Sequence, residues 1–442
     1  MSSTSETVLA FLDPGHFHAA LTLKFDNPRV ARDVYAYASP GPDLDAFVAL
    51  IDAFNSRAEA PTRWRLHVHT SAEPEAALIA DAKRAAKSES APWAVVLAGR
   101  NNVKLARIDA LHQAGIPVLA DKPWLTDPNT LHHLASAMSG PPLARDIMTS
   151  RYDPIARLRL AIAVRTDLFG TFAATRDGTG LPAIEIGSRH HLLKLVNGEP
   201  LARPPWYFDV GIQGTGLVDI QSHMTDQAGW LAAAVGAVTE PCDFARDVQR
   251  MQVERWTTPV PLELFTACTG LDTFPGSLAP HVEDGTLALQ CNSVIRYEIG
   301  GISVQQRAEW GQREPAGSGD VMSCVLRGTR CEVVLEHGAH TDWEMQLHVR
   351  PVGGVSLESP LAAAVADWQT DWPGLEAVPA GEGFRLDIPA ALQSGHEQHF
   401  AMVLDQFLKD LGSARHDVVE ASRIQMRYTL LAHAERLAGE IQ

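Results

Sequence analysis

The apolar positions in the first third of the chain alternate between two spacings. Short continuous apolar runs at "VLAFL" (8–12), "DVYAYA" (33–38), "WAVVL" (93–97) and "PVLAD" (117–121) have the length of strands buried on both faces. "RWRLHVHT" (63–70) alternates instead, as a half-exposed strand does. Between them, "HFHAALTLKF" (16–25), "DLDAFVALIDAFNS" (43–56), "SAEPEAALIADAKRAAK" (71–87) and "NVKLARIDALHQAG" (102–115) have helical spacing. Strand–helix alternation with connections this short predicts a parallel sheet covered on both faces. Such sheets bind ligands outside the carboxyl ends of their strands.

The pattern breaks at "SGPPLARD" (139–146). Helical stretches follow at about 153–165 and 214–236, with irregular sequence around them. From about residue 285 strands dominate, with Gly turns between "GTLALQCNSVIRYEIG", "GISVQQRAEW", "GDVMSCVLRGT" and "RCEVVLEHG". The Pro- and Gly-punctuated segment 350–384 predicts loops over that sheet, and two helices, about 396–411 and 416–438, close the chain. The expected fold class is an α/β Rossmann-like N-terminal domain plus an α+β C-terminal domain with a large, mostly antiparallel sheet. The boundaries are 1–147 for dinucleotide binding and 148–442 for substrate and oligomer contacts.

Composition narrows the function. The chain has 442 residues, enough for two cores, with 45% hydrophobic and 20% charged residues. A formal charge of −16 argues against a nucleic-acid partner, since phosphate binding needs a basic surface. No apolar run is long enough to span a membrane, and "MSSTSET" at the start has no signal-peptide pattern. The five cysteines are odd in number and scattered, with no C-x-x-C pair. Neither a disulfide framework nor a zinc ribbon is expected, and the compartment expected is the cytoplasm.

Four stretches carry candidate chemistry. "LDPGHFHAAL" (12–21) stands where a dinucleotide enzyme has G-x-G-x-x-G. Gly15 permits close backbone approach, and a helix N-terminus after it favours an anion. Read alone, the stretch is as compatible with an ordinary loop. A metal reading is weaker, because His16 and His18 do not share a helix face and no carboxylate or cysteine partner is expected nearby; no metal is expected. Asp13 is expected to turn from a phosphate and cap the helix. The second strand ends near Ser39 without the acid that usually binds the ribose, so NAD and NADP both stay open. "PVLADKPW" puts Asp121 and Lys122 at a strand end, where Lys122 can stabilise an alkoxide; a surface salt bridge is the other reading.

In "GTGLVDIQSHMTDQAGWL", from Gly214, a helix would place Asp219, His223 and Asp226 on one stripe. Flanking carboxylates raise an imidazole's pKa and fix its tautomer, which suits a proton acceptor. A satisfied core histidine and a metal site are the alternatives. Upstream, "SRHHLLKLVNGEPLARPPWYFDVGIQG" reads as a substrate loop rich in groups that bind polyols: His190, His191, Lys194, Arg203, Trp206, Tyr207, Asp209 and Gln213.

With "DKP" at 121–123 and "GTGLVDIQSHMTD" at 214–226, the chain resembles the glucose-fructose oxidoreductase/inositol dehydrogenase (Gfo/Idh/MocA) family. Stretches such as "LDPGHFHAAL", "PPWYFDVGIQG" and "GHEQHF" resemble a branch with its own oxidoreductase C-terminal domain. The resemblance implies NAD or NADP, NAD first, with Lys122, Asp219 and His223 as the catalytic set. It implies a cofactor site from Gly15, His16, Phe17, His18, Ser39, Gly99, Arg100, Asn101, Asn102, Asp121 and Lys122. The substrate implied is a sugar, glycoside or polyol against the polyol-binding residues above and Asp226. A homo-oligomer, dimer or tetramer, is expected. Two alternatives share the site: a redox-neutral glycosidase that oxidises transiently and eliminates, and a dinucleotide-binding sensor without catalysis. The reduced glycine motif and Asp121 in place of the usual Glu depart from the family pattern.

Overall fold

The computed structural model describes residues 6–88, 91–173, 180–196, 199–315, 317–413 and 417–440. The first residues of "MSSTSET", and Asn197 and Gly198 of the polyol stretch, lie outside these. The chain divides into two units. The first runs to Tyr152 and takes in Gly211–Gly214 and Gly395–Tyr428; the second comprises Asp153–Val210, Thr215–Ser394 and Thr429–Gln442.

In the first unit, six parallel strands pair in the order β3-β2-β1-β4-β5-β6: β1 (Val8–Leu12), β2 (Asp33–Ala38), β3 (Arg65–Thr70), β4 (Trp93–Leu97), β5 (Val118–Asp121) and β6 (Ala144–Ile147). The order reverses between β1 and β4, which opens the crevice where such sheets take ligands. The helices α1 (His18–Leu21), α2 (Pro42–Ser56), α3 (Pro74–Lys87) and α4 (Lys104–Gln113) follow β1 to β4.

One element is shorter than its spacing predicts. Over "HFHAALTLKF" only the single turn α1 is helical. The Thr22 hydroxyl donates back to Ala19 O, and Trp64 Nε1 takes the Leu23 carbonyl at 2.7 Å. These side chains satisfy backbone groups that a longer helix would pair itself.

The core joins Leu9, Phe11, Ala36, Phe47 and Ile51 to Phe400, Leu404 and Phe407 of the helix His396–Ser413. Arg29 pairs with Asp405 at 2.5 Å, and Arg427 with Asp146 in the interior.

The second unit is built on a ten-stranded sheet. Its main strands are β7 (Ile184–Leu193), β8 (Val248–Pro261), β9 (Thr286–Ile299), β10 (Ile302–Arg313), β11 (Val321–Arg327), β12 (Cys331–Glu336), β13 (Gln346–Pro351), β14 (Glu376–Ala380) and β15 (Gly383–Asp387). They pair as β8-β9-β10-β7-β11-β12-β13-β15-β14, antiparallel except for β7 with β10. The expected fold class therefore stands, with four local corrections.

β8 crosses a region whose pattern reads as irregular, because bulges at Gln249/Gln252 and Trp256/Thr258 reset its alternation. β7 runs through the stretch read as a loop. Segment 350–384 holds a helix, Glu358–Trp368, and the β14/β15 hairpin. The helix expected from 214 begins at Gln221. Before it, Gly216 lies against β9, where a Cβ would stand 2.4 Å from Cys291 C, so the chain is held in turns. All five cysteines are buried, and none is in a disulfide. No helix among the described residues is long and apolar enough to cross a membrane.

Candidate active site

In the first unit, the residues singled out in the sequence meet at the carboxyl ends of β1, β4 and β5. The amides of Gly15 and His16 both donate to Ala98 O at 3.1 Å. A Cβ on Gly99 would stand 2.3 Å from Asp13 O and 3.2 Å from Gly15 N. The turns after β1 and β4 thus touch backbone to backbone. Asp13, Gly15 and His18 keep the spacing of the three glycines, and Asp13 adopts the φ of 43° that the first glycine usually supplies. Its carboxylate is 2.5 Å from Arg107 and does not cap α1, which corrects the expected cap.

The expectation that no carboxylate stands near His16 and His18 is overturned. Asp121 Oδ2 lies 2.8 Å from His18 Nδ1 and 3.9 Å from His16 Nδ1. The parallel sheet sets the ends of β1 and β5 on the same edge, so residues 103 apart in sequence become neighbours. The Phe17 ring packs on both imidazoles. Burial penalises the Asp121 charge, but His18 and Lys104 outweigh it and hold the carboxyl well below its usual range. Burial, then the His18, Lys122 and Lys104 charges, keeps His16 neutral at pH 7 despite Asp121.

Lys104, which sequence reasoning passed over, is the buried strut of this edge. Its Nζ donates to Asn101 Oδ1, to Asp121 O at 2.8 Å and to Pro123 O at 3.2 Å. A lysine in the first turn of a helix opposes the helix dipole, and that was its signal. Asn101 donates to Gln213 O at 2.7 Å, which ties Gln213 to the turn after β4. Arg100 is 3.1 Å from Asp43. Asn102 is exposed, and exposed Ser39 donates to Ser71 O at 3.3 Å. Lys122 is half-buried, and its bond to Pro123 is cis.

In the second unit, His223 and Asp226 lie on the helix Gln221–Ala234, but Asp219 lies on the turn before it. The single stripe expected for the three is therefore broken. Ser222 Oγ donates to Asp219 O at 2.7 Å. Asp219 and Asp226 are buried and His223 half-buried. The helix packs on the sheet through Gln221, which donates to Ser293 Oγ at 2.9 Å, and Thr225, which donates to Gln306 Oε1 at 3.1 Å. Gln306, Ala308 and Trp310 alternate onto one face of β10, and Ser188 and His190 of β7 pair beside the last two. His190 and Trp310 thus stand on the face that carries the His223 helix.

Around them the polar groups are engaged. His190 Nδ1 is 3.1 Å and Lys194 Nζ 2.8 Å from Asp320 Oδ2, and the His190 and Trp310 ring centroids are 5.1 Å apart. Asp320, absent from the expected set, was hidden in the "GSGD" turn. Burial raises its carboxyl, but His190 and Lys194 outweigh that and hold it low. Its Oδ1 is buried with no hydrogen-bond partner among the described residues. Arg203 donates to Leu192 O and His191 O and lies over the Tyr207 ring, so its guanidinium braces the chain. His191, the next residue on β7, points to the opposite face. Trp206 and Tyr207 are buried, and burial keeps the Tyr207 phenol neutral. Asp209 is half-buried.

Residues 158–439 match the family described as the putative oxidoreductase C terminal domain. A putative oxidoreductase from Parabacteroides merdae ATCC 43184 is 33% identical, with a TM-score of 0.91 over 99% of this chain and 98% of that one. Levoglucosan dehydrogenase in its apo form is 15% identical, with a TM-score of 0.57 over 98% of each chain. A putative myo-inositol dehydrogenase from Sinorhizobium meliloti 1021 is 14% identical, with a TM-score of 0.55 over 99% of this chain and 98% of that one. No curated protein matches in sequence. The chain belongs to the oxidoreductase family defined by this C-terminal domain, on the fold of the Gfo/Idh/MocA dehydrogenases.

Proposed function

We propose that the protein oxidises or reduces a secondary alcohol of a sugar, glycoside or polyol with a nicotinamide dinucleotide, NAD ahead of NADP. Levoglucosan dehydrogenase, with NADH and levoglucosan, and GenD2 of gentamicin A biosynthesis, with NAD, share the fold. The observation that carries the reading is the backbone contact of Gly99 with Asp13 and Gly15 at the β1/β4 crevice. It lies where the strand order reverses, the point at which a doubly wound sheet takes its ligand. Gly15 to His18, Ser39, residues 99–102, Asp121 and Lys122 would hold the dinucleotide.

When bound, the dinucleotide supplies hydride acceptance or donation. The residues of the chain handle the proton and the charge. During oxidation the His223 imidazole takes the hydroxyl proton. The Lys122 ammonium stabilises the oxygen as it becomes an alkoxide. Asp219, fixed by its turn, positions His223. His190, Trp310 and Asp320 offer a ring face and hydroxyl partners to a polyol. A homo-oligomer, dimer or tetramer, and a cytoplasmic location belong to the same reading; light scattering and fractionation test them.

General acid–base help is worth about 10²–10⁴-fold. His223→Ala is expected to lose turnover by that factor on a panel that includes levoglucosan and myo-inositol. Its NADH binding, read by fluorescence, should be unchanged. Turnover equal to the parent's would refute the assignment.

A further inference from the structure

We propose that His16, His18 and Asp121 form a binding site for a first-row divalent metal ion, Zn²⁺ in the first instance. Their donor atoms, two imidazole nitrogens and one carboxylate oxygen, all lie within 4.8 Å of one another. Donors bound to one tetrahedral Zn²⁺ at 2.0–2.1 Å stand about 3.3 Å apart. The separations of 2.8 Å and 3.9 Å from Asp121 Oδ2 bracket that value. Closing the set around an ion takes His16 Nδ1 from the 3.4 Å hydrogen bond it accepts from His18 N. Two imidazoles and a carboxylate select a borderline transition ion over Mg²⁺ or Ca²⁺, which prefer all-oxygen shells.

The surroundings support such a site. Asp121 is fixed on the end of β5 and buried. The His16 turn is anchored by the paired Gly15 and His16 amides on Ala98 O. Phe17 and Phe400 pack their rings against His18, at 4.5 and 4.6 Å between centroids, and form an apolar shell. A further imidazole, the exposed His396, stands 5.8 Å from the His18 ring at the start of the helix His396–Ser413. The stretches "LDPGHFHAAL" and "GHEQHF", at opposite ends of the chain, meet here through His18, His396 and Phe400.

Charge sets the character of the remaining ligand. One carboxylate does not neutralise a dication, and Lys104 lies close behind it, with its donors spent on Asn101, Asp121 O and Pro123 O. An anionic fourth ligand, a hydroxide or a phosphate oxygen, is the one such an ion holds most firmly. The Gly15 and His16 amides are already committed to Ala98, so an ion here adds positive charge to a turn whose first amides are spent. The proposal stands on side-chain geometry and does not require the dinucleotide.

The test uses the tag-free, full-length protein stripped by a chelator. Co²⁺ should give the visible absorption of a tetrahedral site, and calorimetry should show one Zn²⁺ equivalent with a Kd at or below about 1 µM. His16→Ala and His18→Ala should each weaken binding by about 100-fold or more, and His396→Ala by about tenfold. His18→Gln keeps a hydrogen-bonding side chain opposite Asp121 and gives a second reading if the alanine variant does not fold. His67→Ala, at the exposed Asp33 pair, should change nothing. The absence of Co²⁺ absorption and Zn²⁺ heat, or binding that survives loss of His16 and His18, overturns the site. NADH titration of the stripped protein reads the dinucleotide separately, so either assignment can fail without the other.

Discussion

At the scale of single residues, Asp320 shows how a carboxylate can organise a polar cluster from outside any recognisable motif. It pairs His190 and Lys194, and its side chain is 25% exposed. Its pKa in the folded protein lies below the value of about 3.9 in an unfolded chain. The group therefore stabilises the fold above that value, and the contribution is lost as pH falls through it towards the folded pKa. Asp320→Asn should cost about 1–3 kcal/mol at pH 7, because His190 and Lys194 lose their carboxylate partner. The difference from the parent should shrink in denaturant titrations below about pH 4. A difference that stays constant with pH would show that the charge is not what matters. Lys122, Asp219 and His223 are candidates that spacing and strand-end context single out in the sequence. Asp320 was not, since its partners lie 126 and 130 residues away along the chain and are supplied by the pairing of β7 with β11. The His18–Asp121 contact was hidden for the same reason: separation along a parallel sheet says little about distance across its edge.

At the scale of elements, period-2 and period-3.6 patterns exposed β1 to β5 and α2 to α4 nearly to their ends. The failures have physical causes. α1 is cut short by Thr22 and Trp64, side chains that compete for backbone groups. Two bulges scramble the alternation of β8. The turn before Gln221 is held on β9 by the contact at Gly216, which no local pattern signals. The β1 and β4 turns give the sharpest test of an element's geometry. Gly99→Ala would place a Cβ 2.3 Å from the backbone oxygen of Asp13, and a main chain held by β1 and by Ala98 has little room to give. Separation of the turns should cost about 1–3 kcal/mol, in the range of overpacked sites. It should also weaken NADH binding, read by fluorescence titration, whereas Gly41→Ala, with nothing within 4 Å of its added Cβ, should leave binding near the parent's. Equal NADH affinity in the two variants would remove the crevice from the dinucleotide's path.

At the scale of the whole molecule, the unit that carries the parallel sheet is not continuous in sequence. Alternation of strands and helices ends before residue 150, yet the core of that unit takes Phe400, Val403, Leu404, Phe407 and Leu408 from the helix His396–Ser413. The amphipathic spacing of this helix was legible; the sheet it covers was not, because hydrophobic pattern reveals a face and never its partner. Phe407 is fully buried while Met402, on the same helix, is 42% exposed. Phe407→Ala should destabilise the protein by about 3–5 kcal/mol, the cost of emptying an aromatic core position. Met402→Ala should stay within about 0.5 kcal/mol of the parent. Hydrogen exchange places the effect: amides of β1 and β4 should lose protection in Phe407→Ala and keep it in Met402→Ala. By the same reasoning residues 1–152 expressed alone present an uncovered apolar face and should not melt cooperatively. A cooperative transition in that fragment would show that the strand–helix repeat closes its own core, and that the returning helix is an addition to the unit and not part of it.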